Sequence, residues 1–509
     1  MSGRLFLILG DQLHPDPHPL LADFDSHSDR LLMVEAPGES SHVASHRART
    51  VFFLSAMRHR AEDFRQQGLP LTYLALGQHA HTAIGSALAA TLGESRCVVM
   101  LEAGDARLQA EIDSACQAAG AALLVRPDPH FLCSLDDFNT WAGERDNLRL
   151  EYFYRWQRQR HDILMDNGAP AGGRWNFDAE NRQAFGARGP GLIPPPSRFA
   201  PDAISRQVMT DVNTALPGLP GSLDNFAWPV TKAEAETALA DFIRHRLPDF
   251  GRWQDAMWPG QPFLWHSLLS AAMNVKLLDP RRVIAATLAA WRTGEVPLAA
   301  AEGFIRQILG WREFVRGIYG RHHAALAVAN QYDHHVPLPA WFWTGETGAA
   351  CLADTIGQTL REGYAHHIQR LMVTGNFALI AGLAPRQVAD WYLGIYVDAV
   401  AWVEEPNTLG MALNAWPGMT SKPYCASGAY LKRMSDHCRS CRYRPDLRSG
   451  PQGCPFTNFY WDFLLRHQQR LTVNPRMSLI MKHIERLDSN ERQTIRKQAE
   501  ERRGHINAL

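Results

Sequence analysis

The pattern of apolar and polar positions changes along the chain and divides it into unlike parts. Over residues 1–130, short apolar runs alternate with helical periodicities, the pattern of a parallel sheet covered by helices. The predicted strands are Leu5–Leu9, Leu31–Glu35, Leu71–Leu76, Cys97–Leu101 and Ala122–Val125. Residues 131–230 lose that regularity, and Gly168–Gln183 and Gly189–Asp202 are rich in Gly, Pro and Asn, as an interdomain linker would be. Arg155, Arg158 and Arg160, on a helical stretch of this linker, read as a solvated face. From Thr231 strand signals vanish and apolar positions recur at helical spacing, with Asn225–Pro229 marking the boundary. The expected architecture is an α/β Rossmann-like parallel-sheet domain over 1–130, a linker over 131–230 and a large all-α domain over 231–509. The final residues, rich in Arg, Glu and Gln, read as an exposed helix.

Composition narrows the function classes. A chain of 509 residues is too long for one ordinary core. Its formal net charge is zero, so a nucleic-acid partner would have to meet a local basic surface rather than a global field. No stretch approaches about 18 uninterrupted apolar residues, and the N-terminal run meets Asp11 at once. A cytoplasmic protein without membrane contact is expected, and its eight cysteines are then free thiols or metal ligands rather than disulfides. Packing in a helical core accounts for most of the fifteen tryptophans, while ligand-lining or electron-carrying rings account for the rest.

The first strand ends in Gly10-Asp11-Gln12-Leu13, which is not a GxGxxG turn. Ligands of parallel sheets sit outside the carboxyl ends of the strands, which points to Asp11, Gln12, Glu35, Glu39 and Glu102. In the helical part, Tyr364–Asn407 sets two histidines and an arginine into apolar helical patterns. His367 and Arg370 are three apart and share a helix face, with His366 a turn before Arg370. A buried arginine costs several kcal/mol unless paired, and Asp398, Glu404 and Glu405 follow as candidate partners. His266, Ser267, Leu268, Leu269 and Ser270 lie at a predicted helix start, where free N–H groups suit a phosphate. Gln307, Trp311 and Arg312 occupy successive turns of an amphipathic helix over Glu302–Tyr319. Together these groups describe a polar pocket within a helical core.

Cys438-Arg439-Ser440-Cys441 forms a CxxC, and Cys454 follows in a Cys-Pro context. Three thiolates need a fourth ligand for zinc or a four-iron cluster, and either Cys351 or Cys425 is available. The Cys-Pro pair favours iron–sulfur over zinc, with unligated buried thiols as the bland alternative. Cys97, Cys116 and Cys133 read as core residues of the α/β region.

These motifs resemble the photolyase/cryptochrome superfamily, and within it the bacterial iron–sulfur cryptochromes and prokaryotic (6-4) photolyases. The resemblance rests on GGRWNFDAENRQ, HSLLS, EGFIRQILGWREF, FWTG, YAHHIQRLMVTGNFAL, WVEEPNTLGM, KPYCASG and RMSDHCRSCRY with its later CPF, which together span nearly the whole chain. It implies FAD in the helical domain, a [4Fe-4S] cluster near it and a 6,7-dimethyl-8-ribityllumazine antenna at Asp11, Gln12, Glu35 and Glu39. It implies that Arg370 and Asp398 flank the isoalloxazine, that Glu404 faces flavin N5 and that Asn376 lines the same cavity. The segment from His266 through Ser267, Leu268, Leu269 and Ser270, with Gln307, Trp311 and Arg312, would hold phosphate and ribityl groups. His367, with His366 beside it, matches the histidine that acts as acid on the lesion, while Leu371 stands where many relatives carry a second histidine. Trp391, Tyr392 and Trp343 match an aromatic electron route. Cys351, Cys438, Cys441 and Cys454 would bind the cluster, leaving Cys425 out. The implied function is blue-light repair of (6-4) photoproducts in UV-damaged DNA by a monomer, with the lesion flipped out of the duplex. The alternatives are a cryptochrome-type photoreceptor regulating gene expression and a zinc-binding flavoprotein.

Overall fold

Five parallel strands form where apolar runs were predicted: β1 (Leu5–Leu7), β2 (Arg30–Val34), β3 (Leu71–Leu74), β4 (Cys97–Leu101) and β5 (Ala122–Arg126). They lie in the order β3-β2-β1-β4-β5 in this computed structural model, which describes residues 3–145 and 147–509. The period of two is visible in the packing. Phe6, Leu31, Met33, Val99 and Leu101 face one side, with Val51, Phe52, Ala56 and Phe64 of the Arg47–Gln66 helix. Leu5, Leu7, Leu32, Val34, Val98 and Met100 face the other, with Ile84, Leu88, Leu108 and Ile112 of the helices Ile84–Thr91 and Ala106–Ala118. Burial on both faces is why the central strands β1, β2 and β4 read as continuous apolar runs, while the edge strands β3 and β5 are half-buried or exposed.

Residues 131–230 are more ordered than their composition suggests. They contain the helices Leu135–Ala142, Leu150–His161 and Ala203–Ala215, the last packed against Arg47–Gln66. Arg158 corrects the reading of a solvated arginine face. It is fully buried, and its guanidinium donates to the Ile163 carbonyl at 3.3 Å, to the Trp175 carbonyl at 3.1 Å and to the Leu164 carbonyl. A chain that folds back on its own helix can satisfy a cation with backbone oxygens, which no helical periodicity reveals.

Among the described residues no strand lies beyond Pro170, and the rest of the chain is helices and connections. Its core gathers Phe377, Leu379 and Ile380 of the Asn376–Ala381 helix with Phe456, Phe459 and Phe463 of the Pro455–Arg466 helix. The C-terminal Ser489–Gly504 helix is exposed along most of its length, yet it buries Ile495 and Ala499 and packs on Pro455–Arg466. No helix among the described residues is long and apolar enough to cross a membrane.

Candidate active site

Three π-helical stretches, Arg306–Arg312, Gln369–Gly375 and Pro406–Ala412, interrupt helices of the all-α part. Such widened turns recur at functional sites because they displace side chains and loosen backbone hydrogen bonding. The second packs against the third, and Trp311 Nε1 donates to Asn407 Oδ1 at 2.7 Å, tying the first to the third.

Arg370, in the middle stretch, is the electrostatic centre. Its guanidinium donates to Glu404 Oε1 and Asp398 Oδ1, both at 2.9 Å, and its Nε donates to the Ala365 carbonyl at 2.7 Å. The cation lies 3.8 Å from the centre of the Tyr396 ring. Asp398 is held from its other side by the Ser270 hydroxyl at 2.6 Å, and Asn274 donates to its backbone carbonyl at 2.8 Å. Burial pushes the Glu404 carboxyl up to about 7, against the opposing pull of Arg370. Glu405, the third candidate partner, bonds Arg386 at 3.0 Å instead.

His366 and His266 stack with centroids 4.4 Å apart and planes within 10°. Neither ring nitrogen of His366, nor Nε2 of His266, has a protein partner. Burial and adjacent positive groups lower both pKa values, that of His266 to about 3, so both rings are neutral. His367 is different: its side chain is exposed. The surrounding protein and the Arg370 and Arg182 charges still push its pKa down, while access to water limits that shift. Leu268, with φ of 60°, holds the left-handed region that a leucine rarely occupies, so the turn before the short Ser270–Asn274 helix is strained. Leu269 is buried in this turn, and its N–H reaches the Ser267 hydroxyl at 3.4 Å.

Several residues expected in the pocket are placed otherwise. Gln307 is exposed and donates to the Gly303 carbonyl at 3.0 Å. Arg312 faces away from Gln307, buried against Phe131 and Trp402 and paired with Glu313 at 2.9 Å. Asn376 spends its amide on Ala426, donating to its carbonyl and accepting from its N–H, each at 3.0 Å. Trp391 donates to the Phe342 carbonyl at 3.1 Å and touches the rings of Phe342, Tyr392 and Tyr396 at 5.0–5.8 Å. Trp343 stands at the surface, one residue beyond that carbonyl. Tyr396 escaped the sequence reading although it joins Arg370 to these aromatics. Its position between Tyr392 and Asp398 is the signal that could have found it.

A second polar region lies at the carboxyl ends of β1 and β2. A cavity of about 110 Å³ is lined by Asp11, Glu35 and Glu39 and also by Arg49, Val400 and Ala401. Glu35 is already engaged by Arg58 at 2.7 and 2.9 Å, by the Tyr73 hydroxyl and by the Leu76 N–H. Glu39 pairs with Arg107 at 2.7 Å. Gln12 turns away, donating to the Leu101 and Glu102 carbonyls at 3.3 and 3.0 Å. Glu102 pairs with Arg316 at 3.0 Å, outside the cavity lining.

A family model described as deoxyribodipyrimidine photo-lyase-related protein matches residues 6–228. A curated protein of Agrobacterium fabrum (strain C58) named (6-4) photolyase is 44% identical over 481 residues, 94% of each chain. The chain belongs to the photolyase family. A crystallographic bacterial class III photolyase from Agrobacterium tumefaciens shares the fold, with a TM-score of 0.56 at 16% identity over 99% of this chain and 92% of that one. An uncharacterized protein of Acanthamoeba polyphaga mimivirus is 30% identical over 129 residues, 25% of this chain and 92% of its own.

The remaining cluster of this photolyase consists of thiols. Cys351 opens the Ala350–Glu362 helix, Cys438 lies in the His437–Ser440 turn with Cys441 after it, and Cys454 caps Pro455–Arg466. Burial raises the Cys351 thiol well above the usual range, and the proximity of Cys454, Cys438 and Cys441 raises it further. Cys425 is pushed up to about 12 by burial and has none of the other cysteines among its charged neighbours. Among the described residues no three His, Cys, Asp or Glu side chains are drawn into a metal-holding arrangement. Cys351 thus lies within electrostatic reach of Cys438, Cys441 and Cys454, thiols whose donor chemistry suits a soft metal centre, though among the described residues they do not form a closed ligand set.

Proposed function

We propose that this protein is a light-driven (6-4) photolyase, a lyase that reverses UV-induced (6-4) photoproducts in DNA. The observation that carries the reading is the Arg370 guanidinium clamped by Asp398 and Glu404, with the exposed His367 one turn before it. The identity to a protein named (6-4) photolyase, across nearly the whole chain, supports repair over the photoreceptor alternative.

The residues present fit FAD. A fixed guanidinium, neutral imidazoles with unpartnered nitrogens and a strained turn suit a large polar ligand better than a closed core. FAD, when bound and reduced, supplies a photoexcitable one-electron donor. Arg370 gives a fixed positive charge favouring negative charge on a bound ring, and Ser270 and Asn274 keep Asp398 in place to orient it. Trp391, Tyr392 and Trp343 offer aromatic rings between the pocket and the surface. In our reading His367 donates a proton to the lesion. Arg370 and Arg182 disfavour its charged form, and polyanionic DNA reverses that balance, so His367 takes up a proton as the lesion enters. The damaged base must leave the duplex to reach His367, and Arg182, whose charge acts on that imidazole, is placed to meet the DNA backbone in a salt-dependent way.

The finer assignments belong to the same proposal. Cys351, Cys438, Cys441 and Cys454 are read as ligands of a [4Fe-4S] cluster, and the cavity beside Asp11, Glu35 and Glu39 as the seat of 6,7-dimethyl-8-ribityllumazine. The working units are an antenna-binding region to about residue 130, a linker to about 230 and a catalytic region beyond, acting as a cytoplasmic monomer. The deciding experiment illuminates the reduced protein with blue light beside an oligonucleotide carrying one (6-4) lesion and follows the lesion by chromatography. Restored bases are expected; an unchanged lesion with flavin bound would overturn the repair reading.

A further inference from the structure

The cavity beside β1 and β2 and the Arg370 network share a wall. Leu393, Val400 and Ala401 of the helical part line the cavity, and Asp398 and Glu404 of the same segment hold Arg370. The amino end of Arg47–Gln66 docks there: His46 N–H donates to the Gly394 carbonyl at 2.9 Å. Gly394 permits this approach, because a Cβ would stand 2.4 Å from the Ala44 carbonyl oxygen.

Arg49, in the first turn of that helix, is the side chain that belongs to both sites. It lines the cavity, its Nε and one terminal nitrogen donate to the Ala399 carbonyl at 3.2 and 3.1 Å, and the other donates to the Ser45 hydroxyl at 3.2 Å. Its side-chain hydrogen bonds thus go to neutral oxygens, and its flat face lies 4.9 Å from the centre of Phe53. Ala399 directly follows Asp398, and the next carbonyl, of Val400, accepts the Glu404 N–H at 3.0 Å to start the Ala401–Glu405 helix.

We propose that Arg49 is a positioning residue for the active site: by gripping the Ala399 carbonyl it fixes Asp398 and the start of the Glu404 helix, and so couples the α/β-side cavity to Arg370. The coupling rests on the functional reading above only for the identity of what fills each site. An acceptor group entering the cavity competes for the same guanidinium, so occupancy of one site changes the other, and linkage makes the effect reciprocal. The Arg49 charge also reaches Glu404, whose neighbours are Arg370, Asp398 and Arg49.

The test uses full-length Arg49→Ala and Arg49→Lys proteins isolated with their flavin. Amide hydrogen exchange over residues 398–405 is compared with exchange in the Pro385–Ile395 helix, and the flavin reduction potential is measured beside it. Arg49→Ala is expected to speed exchange over 398–405 by about tenfold and shift the potential, with Pro385–Ile395 unchanged and Arg49→Lys restoring most of both. Exchange in Arg49→Ala equal to wild type, or Arg49→Lys as fast as Arg49→Ala, overturns the proposal. Wild-type protein that binds no flavin would sink the cofactor reading instead, while the exchange comparison would still decide the role of Arg49.

Discussion

Replacing Glu404 by glutamine removes a buried acid whose charge is nearly balanced at neutral pH. Glu404 is 3% exposed and accepts from Arg370 at 2.9 Å, yet burial raises its carboxyl from the ordinary 4.5 to about 7. The folded chain therefore holds this proton more tightly than the unfolded chain does. Stability is fully present below about pH 4.5 and declines as pH rises towards 7, levelling off above it. The shift corresponds to about 3 kcal/mol over that window. Glutamine keeps the acceptor for Arg370 and cannot titrate. Glu404→Gln should match wild type near pH 4.5 and exceed it by about 3 kcal/mol above pH 7, with Asp398 still neutralising Arg370. Urea unfolding of both proteins at half-unit steps from pH 4.5 to 8, followed by tryptophan fluorescence, measures the difference between midpoints. Parallel profiles would mean that Arg370 keeps Glu404 ionised throughout, and the argument from burial would fall.

The other predictions address the chemistry directly. His367→Ala should lower repair by about 100-fold or more at unchanged flavin content, and retained repair would contradict its role as proton donor. Trp391→Phe should slow photoreduction of oxidised flavin while protein reduced in the dark repairs as before; equal photoreduction rates would remove Trp391 from the route. Cys454→Ala should abolish the broad visible absorption of an iron–sulfur cluster and the iron found by elemental analysis, whereas one zinc per wild-type chain would rule the cluster out.

The sheet was legible because its three central strands are buried on both faces, and the apolar runs at Leu31 and Cys97 have few other uses. The Arg370 partners were legible for an electrostatic reason: a cation in an apolar helix needs carboxylates, and Asp398 and Glu404 lie on neighbouring apolar segments. Arg158 was misread because its partners are carbonyls of the turn that follows it and of Trp175 seventeen residues on, and backbone acceptors leave no residue-type signature. Spacing could not choose between Cys351 and Cys425, since the choice depends on how Ala350–Glu362 packs against His437–Ser440. Arg49 was invisible for the same kind of reason, its partner being a carbonyl 350 residues away.

The separation of Gln307 from Arg312 has a simpler cause: five residues apart, they point about 140° from each other even on a regular helix. Both lie in a widened π-helical stretch. The same widening recurs at Arg370, and there its consequence is explicit. The Arg370 carbonyl accepts from the Tyr392 hydroxyl at 2.6 Å and from the Thr374 hydroxyl at 3.1 Å, so side chains satisfy the oxygen that the widened turn loosens. The turn also brings Gly375 against the third π-helical stretch, where a Cβ would stand 2.9 Å from that of Ala412. Three π-helical stretches in contact are thus not independent irregularities. Polar groups on them meet across the core: Trp311 reaches Asn407, and Arg370 reaches two carboxylates, on the Ala401–Glu405 helix and the loop before it. Hydrophobic periodicity marked the chain beyond Thr231 as helical, and the π-helical departures from that periodicity are where the Arg370 network is built.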